Sequence, residues 1–198
     1  MTIKDTHLAV TITDERLDHQ GFRSLKTIFY REDISGIEAK RELAIAPCAV
    51  AVVAYDPDLE KLVMIRQFRL GAQMGTGCGK CVEVVAGLID EGEAPEQAAI
   101  RELQEESGLT AKRVEKLCQF LTTPGLADEV IHLFYAEVDA SKLVSEAGEA
   151  SETEQTFPFT LSLDEALNAV DSNGIQNGIA MIALLWFARH KNRLVNAE

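Results

Sequence analysis

Residues 87–109 restrict this chain more than any other stretch. They read Gly87-Leu88-Ile89-Asp90-Glu91-Gly92-Glu93 and then, after residues 94–100, Arg101-Glu102-Leu103-Gln104-Glu105-Glu106-Ser107-Gly108-Leu109. Glu102, Glu105 and Glu106 stand at i, i+3 and i+4, so a helix places their carboxylates on one face. Like charges at that spacing destabilise an isolated helix. A cation between them relieves the repulsion, and hard oxygen ligands point to Mg²⁺ or a similar ion. A metal held by a few carboxylates and by phosphate oxygens is the usual arrangement for phosphate chemistry.

The spacing predicts that helix. Pro95 suits the first turn, where a missing N–H costs nothing. Ala98, Ala99, Ile100 and Leu103 supply apolar positions without a β-branched run. Gly108 is placed to end the helix in a left-handed conformation. Arg101 adjoins the glutamates and is placed to pair with Glu93. A solvated, Glu-rich surface helix is the plainer alternative. The glycines and acids at fixed places before the helix count against it.

Gly87, Glu93, Arg101, Glu102, Leu103, Glu105, Glu106, Gly108 and Leu109 match every fixed position of the Nudix box. The chain therefore resembles the Nudix hydrolases, which cleave a nucleoside diphosphate linked to another group. The resemblance implies an α/β fold, an α/β/α sandwich of mixed sheet between helices, with the box as a loop–helix–loop. It implies divalent metal, Mg²⁺ with Mn²⁺ able to substitute, held by Glu102, Glu105, Glu106 and the carbonyl of Ala86.

Composition narrows the partners. At 198 residues the chain has room for one domain with a small appendage. Its 46% hydrophobic content suffices for a core. A net charge of -13 argues against nucleic acid and anionic membrane, which both need a basic surface. It also opposes an anionic phosphate substrate, unless bound cations invert the local field. Cys78 and Cys81 form one C-x-x-C without a second pair or histidines at ligand spacing. Reduced cysteines of a cytoplasmic protein are preferred over a zinc or redox site. Residues 1–10 carry Asp5 and no apolar core, so no signal peptide is read there. The apolar run 179–188 is too short to span a membrane.

Strands are predicted at 22–30, 39–45, 49–55, 61–68, 81–86, 114–121 and 130–138. The run 49–55 is continuously apolar, as in a strand buried on both faces. Residues 71–80 are glycine-rich, lack the Ser/Thr and spacing of a phosphate-binding loop, and read as a flexible hairpin loop. Residues 141–155 are long and acidic, either a surface loop or a mobile catalytic one. Ser162-Leu163-Asp164-Glu165 opens a short helix with a capping box, and 176–193 is an amphipathic helix. The domain reading is an N-terminal β segment, 1–46, and a Nudix hydrolase domain, 47–198.

Outside the box the chain resembles the ADP-ribose pyrophosphatase subfamily from about Asp14 to Arg189. Pro124 lies after the box at a matching distance. Four stretches carry site residues by resemblance. Phe22 matches an aromatic residue that stacks on adenine. Arg41 matches an N-terminal Arg-Glu element. Arg69 matches a substrate-binding arginine and Glu129 a substrate-binding glutamate. Read without the family, Phe22 suits core packing and the arginines suit surface charges, although guanidinium forks fit diphosphates. The resemblance also implies a homodimer in which Phe22 and Arg41 serve the neighbouring subunit's site. The catalytic set would be Glu152, Glu105 and Arg101. Glu152 would act as base, with Glu154 as second choice among Glu146, Glu149, Glu152 and Glu154. The implied reaction is hydrolysis of ADP-ribose to AMP and ribose 5-phosphate. The alternatives are hydrolysis of GDP-mannose or another nucleoside diphosphate sugar, and a nucleotide-sensing module without turnover. Degenerate modules usually lose a box glutamate, and this chain keeps all of them.

Overall fold

The computed structural model describes residues 3–148 and 155–196. The chain divides into two compact units, Met1–Pro47 with Thr123–Glu129, and Cys48–Thr122 with Val130–Glu198.

The first unit is an antiparallel sheet of β1 (Val10–His19), β2 (Ser24–Glu32) and β3 (Glu38–Ile45), in that order. The strands β2 and β3 fall where alternation predicts them. The strand β1 escaped the sequence reading because a register shift between Ile12 and Asp14 breaks its alternation, although Val10, Ile12 and Leu17 share one exposed face. Its pairing rests on the β2 ladder and on polar cross-strand contacts such as Lys26 Nζ to Glu15 at 3.0 Å. Residues 123–129 join this unit through contacts that include two hydrogen bonds. The Ala44 N–H donates to the Leu126 carbonyl at 2.8 Å, and the Ala46 N–H donates to Asp128 Oδ1 at 2.8 Å.

The second unit is built on a seven-stranded mixed sheet. Its strands are β4 (Ala49–Asp56), β5 (Lys61–Phe68), β6 (Lys80–Glu83), β7 (Val85–Leu88), β8 (Arg113–Leu121), β9 (Val130–Glu137) and β10 (Phe157–Leu161). The main path runs β10-β5-β4-β9-β8, with β6 on β5 and β7 on β4. Only the β4–β9 pairing is parallel among the described pairs. Every residue of β4 is buried. Val50, Val52 and Ala54 face a cluster with Ala98, Ala99 and Leu103 of α2 (Pro95–Ser107). Ala51, Val53 and Tyr55 face Ala166 of α3 (Leu163–Asp171) and Leu184 and Phe187 of α4 (Gly178–Val195). Helices cover both faces, and that explains why β4 is continuously apolar. Each buried Val, Leu or Phe side chain among these contributes about 1.5–3 kcal/mol by leaving water. The α/β sandwich is thus present as expected.

Near the box the sheet forks. The strand β4 pairs with β5 at Ala54–Asp56 but with β7 at Ala49–Val52, while the far end of β5 pairs with β6. The one strand expected at 81–86 is therefore two, with the partner changing at Val84. This fork sets Ala86 and Gly87 opposite Ala51 and Val50.

Three other expectations change. The flexible loop at 71–80 contains a short helix, α1 (Leu70–Thr76), closed by Gly77 at φ 76°. It buries no residue, so it leaves no apolar periodicity to read. The strand β10 went unpredicted because it contains Pro158, yet it lies at the sheet edge, where proline is tolerated. Residues 141–148, expected as part of a surface or mobile loop, are anchored by apolar side chains. Leu143 packs against the α2-side core, and Val144 lies against Gly108. A bridge between Ala147 and Thr156 closes the described part of that loop. No helix among the described residues is long and apolar enough to cross a membrane.

Candidate active site

The helix α2 carries the box carboxylates. Pro95 occupies its first turn, and Gly108 ends it at φ 71° with its N–H donating to the Gln104 carbonyl at 2.9 Å. The next two carbonyls are satisfied by the following loop. Gly148 N–H donates to the Glu105 carbonyl at 3.0 Å, and Thr156 Oγ1 donates to the Glu106 carbonyl at 3.0 Å. Thr156 is fully buried. Both ends of the described loop are thereby tied to the turn that bears Glu105 and Glu106.

Glu106 is 1% exposed, and its Oε2 accepts the Ala86 N–H at 2.8 Å. Glu102 is also buried and leans on the forked strand. A Cβ on Gly87 would stand 2.0 Å from Glu102 Cδ. Gly87 is therefore the gap that lets the carboxylate reach the backbone. Arg101 binds the acids from the side. Its Nε and Nη2 fork onto Glu93 at 3.0 and 2.9 Å, and Nη2 also donates to the Leu88 carbonyl at 2.9 Å. Its Nη1 donates to Glu102 at 2.7 Å and to Glu105 at 3.0 Å. The expected Arg101–Glu93 pair is thus present.

Charge follows from these contacts. Glu93, foremost, raises the Arg101 pKa above its ordinary value, with Glu102 and Glu105 adding to it. Arg101 in turn lowers the Glu93 carboxyl below its ordinary 4.5. A depressed carboxylate stabilises the fold above its unfolded pKa and loses that contribution as the pH falls through the folded value. The box pair therefore weakens only on acidification below the ordinary carboxylate range.

Part of the like-charge repulsion is relieved by the Arg101 guanidinium itself. No group of three acids, histidines or cysteines among the described residues converges as a ready cation cage. The donor chemistry still fits a hard divalent cation. Glu102 and Glu106 are buried carboxylates beside the Ala86–Gly87 backbone, and Glu105 is on the same helix face. Gly87→Ala tests the arrangement. The obstructing Glu102 carboxylate ends a flexible side chain, so it should swing away at little cost in stability. Thermal unfolding should stay within about 2 °C of the parent while kcat/KM falls about a hundredfold. An unchanged kcat/KM would show that the close approach has no catalytic use.

Arg69 forks onto Glu83. Nε lies 3.1 and 3.2 Å from the two carboxylate oxygens and Nη2 lies 2.8 Å from Oε2. Glu83 is buried, and it also accepts from Asn177 Nδ2 at 3.0 Å. The sequence reading omitted both Glu83 and Asn177. The available signal was one acid within the apolar run Val82-Glu83-Val84-Val85. The other expected residues belong to the first unit. Phe22 is 90% exposed, so it is not a core residue, and the Arg23 guanidinium lies 5.5 Å from its ring. Arg41 is exposed and donates to the Lys40 carbonyl. Glu129 pairs with Arg23 at 3.6 Å. Glu152 and its alternatives Glu149 and Glu154 lie outside the described residues. Glu146 accepts from Gln155 at 2.5 Å. Cys78 and Cys81 are free thiols, as are Cys48 and Cys118.

The model of the NUDIX domain family matches residues 46–177. The chain belongs to this family. An ADP-ribose pyrophosphatase of Haemophilus influenzae is 33% identical to it over 185 residues, covering 89% of this chain and 85% of the relative. A GDP-mannose pyrophosphatase of Cronobacter sakazakii is 31% identical over 181 residues, covering 89% of this chain and 94% of the relative. A solved structure described as an ADP compounds hydrolase superposes with a TM-score of 0.75. It covers 96% of this chain and 98% of that one at 20% identity, and so supports the NUDIX fold. The chain is thus a Nudix hydrolase, and the forked sheet and the glutamate helix lie within the matched residues.

Proposed function

We propose that this Nudix hydrolase cleaves the diphosphate of ADP-ribose to AMP and ribose 5-phosphate. Its likeness along 89% of the chain to an ADP-ribose pyrophosphatase carries the reading. The buried carboxylates beside Gly87 support it independently. Glu102, Glu105, Glu106 and the Ala86 carbonyl would hold divalent metal, Mg²⁺ with Mn²⁺ able to substitute. When bound, the metal neutralises diphosphate charge and makes water more acidic. Arg101 keeps Glu102 and Glu105 in register through its donors. Arg69, with Phe22, Arg41 and Glu129, would bind the substrate. Glu152 would accept the proton of the attacking water.

The similar GDP-mannose pyrophosphatase supports a second substrate. With Mg²⁺ present, kcat/KM for ADP-ribose should exceed that for GDP-mannose by at least about tenfold. The reverse order would transfer the assignment to GDP-mannose, and turnover of neither would leave a sensing module. For the base, Glu152→Gln should lower kcat about a hundredfold and leave KM and metal affinity nearly unchanged. Wild-type kcat in Glu152→Gln would move the role to another glutamate.

We also propose a homodimer in which the N-terminal segment, 1–46, completes the partner's site. The exposed Val10, Ile12 and Leu17 of β1 support a covered surface there. Mixing inactive Arg41→Ala chains with inactive Glu106→Gln chains should restore activity, because one hybrid site carries neither lesion. No recovery on mixing, or an active monomer in sedimentation, would remove the shared site.

A further inference from the structure

Asn177 is the first residue before α4, and its side-chain amide is engaged at both ends. Its Oδ1 accepts the Ala180 N–H at 2.9 Å, capping the helix. Its Nδ2 donates to Glu83 Oε1 at 3.0 Å. The capping bond requires oxygen toward the helix, so the amide can present only its nitrogen to Glu83. Glu83 is 4% exposed and forks onto Arg69, whose side chain is 42% exposed. Arg69 and Asn177 line one cavity of about 550 Å³, with Lys80 and Gln176 also on its wall. A buried acid is thus gripped from two directions, by the cap of a long helix and by a guanidinium that reaches solvent.

We propose that Asn177 is a positioning residue for substrate binding, acting through Glu83 to hold the Arg69 guanidinium in the orientation that meets the diphosphate. The inference rests on the reading that Arg69 contacts substrate. An arginine already held by Glu83 loses little side-chain freedom when an anion arrives, so the support improves affinity without new contacts. The helix α4 packs on the sheet through Ala183, Leu184 and Phe187, which gives Asn177 a rigid base. The cap and the grip on Glu83 are separable, because serine and aspartate both cap helices but neither carries an amide donor.

The experiment is a double-mutant cycle with ADP-ribose and Mg²⁺. Asn177→Ser and Asn177→Asp should each raise KM about tenfold with kcat within about twofold, and thermal unfolding should stay close to the parent. In an Arg69→Ala background the same Asn177 changes should raise KM no further, because the group they orient is gone. A merely structural cap would be kept by serine and aspartate alike and would leave KM unchanged in both variants. Three results with the Asn177 variants overturn the inference: an unchanged KM in either folded variant, a rise that multiplies in the Arg69→Ala background, or failure of both variants to fold. If Arg69→Ala itself leaves KM unchanged, the substrate role of Arg69 falls and the inference falls with it. If Arg69→Ala raises KM and the Asn177 variants do not, only the positioning role is lost.

Discussion

Hydrolysis should fall about a thousandfold or more when divalent metal is stripped with excess EDTA and the protein is dialysed, and it should return on adding Mg²⁺. A net charge of -13 faces a diphosphate anion. Two like charges 4 Å apart near a protein surface repel by about 4 kcal/mol, about a thousandfold in rate. Arg101 cannot meet that load. Its donors already serve Glu93, Glu102, Glu105 and the Leu88 carbonyl. Full turnover in the stripped protein, confirmed metal-free by elemental analysis, would sink the metal mechanism as a whole.

Glu106→Gln should lower kcat/KM about a thousandfold, weaken Mg²⁺ binding and leave the fold intact. The side chain is 1% exposed, and Gln keeps its shape together with an oxygen for the Ala86 N–H. What disappears is a buried negative charge. Because the shape and the bond to Ala86 are kept, the metal-free variant should unfold within about 3 °C of the parent. Loss of activity with the fold kept would mark Glu106 as held for chemistry. Parent-like turnover at the same Mg²⁺ concentration would remove Glu106 from the metal site. A collapse in unfolding temperature would instead make it a structural partner of Ala86.

Glu102, Glu105 and Glu106 were legible as one acidic face because a helix repeats every 3.6 residues, so spacing alone places them. The strands β4 and β9 and the helix α4 were legible for similar reasons, since burial leaves a run or a period in the chain. The misses have a common cause. The helix α1 buries nothing and so writes no pattern, and a bulge after Ile12 breaks the alternation of β1. The strand β10 carries Pro158, which reads against a strand until its place at the edge is known.

The sequence by itself determined the family, the acidic helix with its cap at Gly108, and the pairing of Arg101 with Glu93. These are local matters, governed by residues within a few turns of one another. Only the tertiary structure decided that the sheet forks at Val84, that Glu102 occupies the gap at Gly87, and that Glu83 is gripped by both Arg69 and Asn177. Arg69 and Asn177 reach Glu83 across 14 and 94 residues of chain. Contacts at such separations depend on which strands pair and which faces the helices cover, and they leave no periodic mark in the residues that make them.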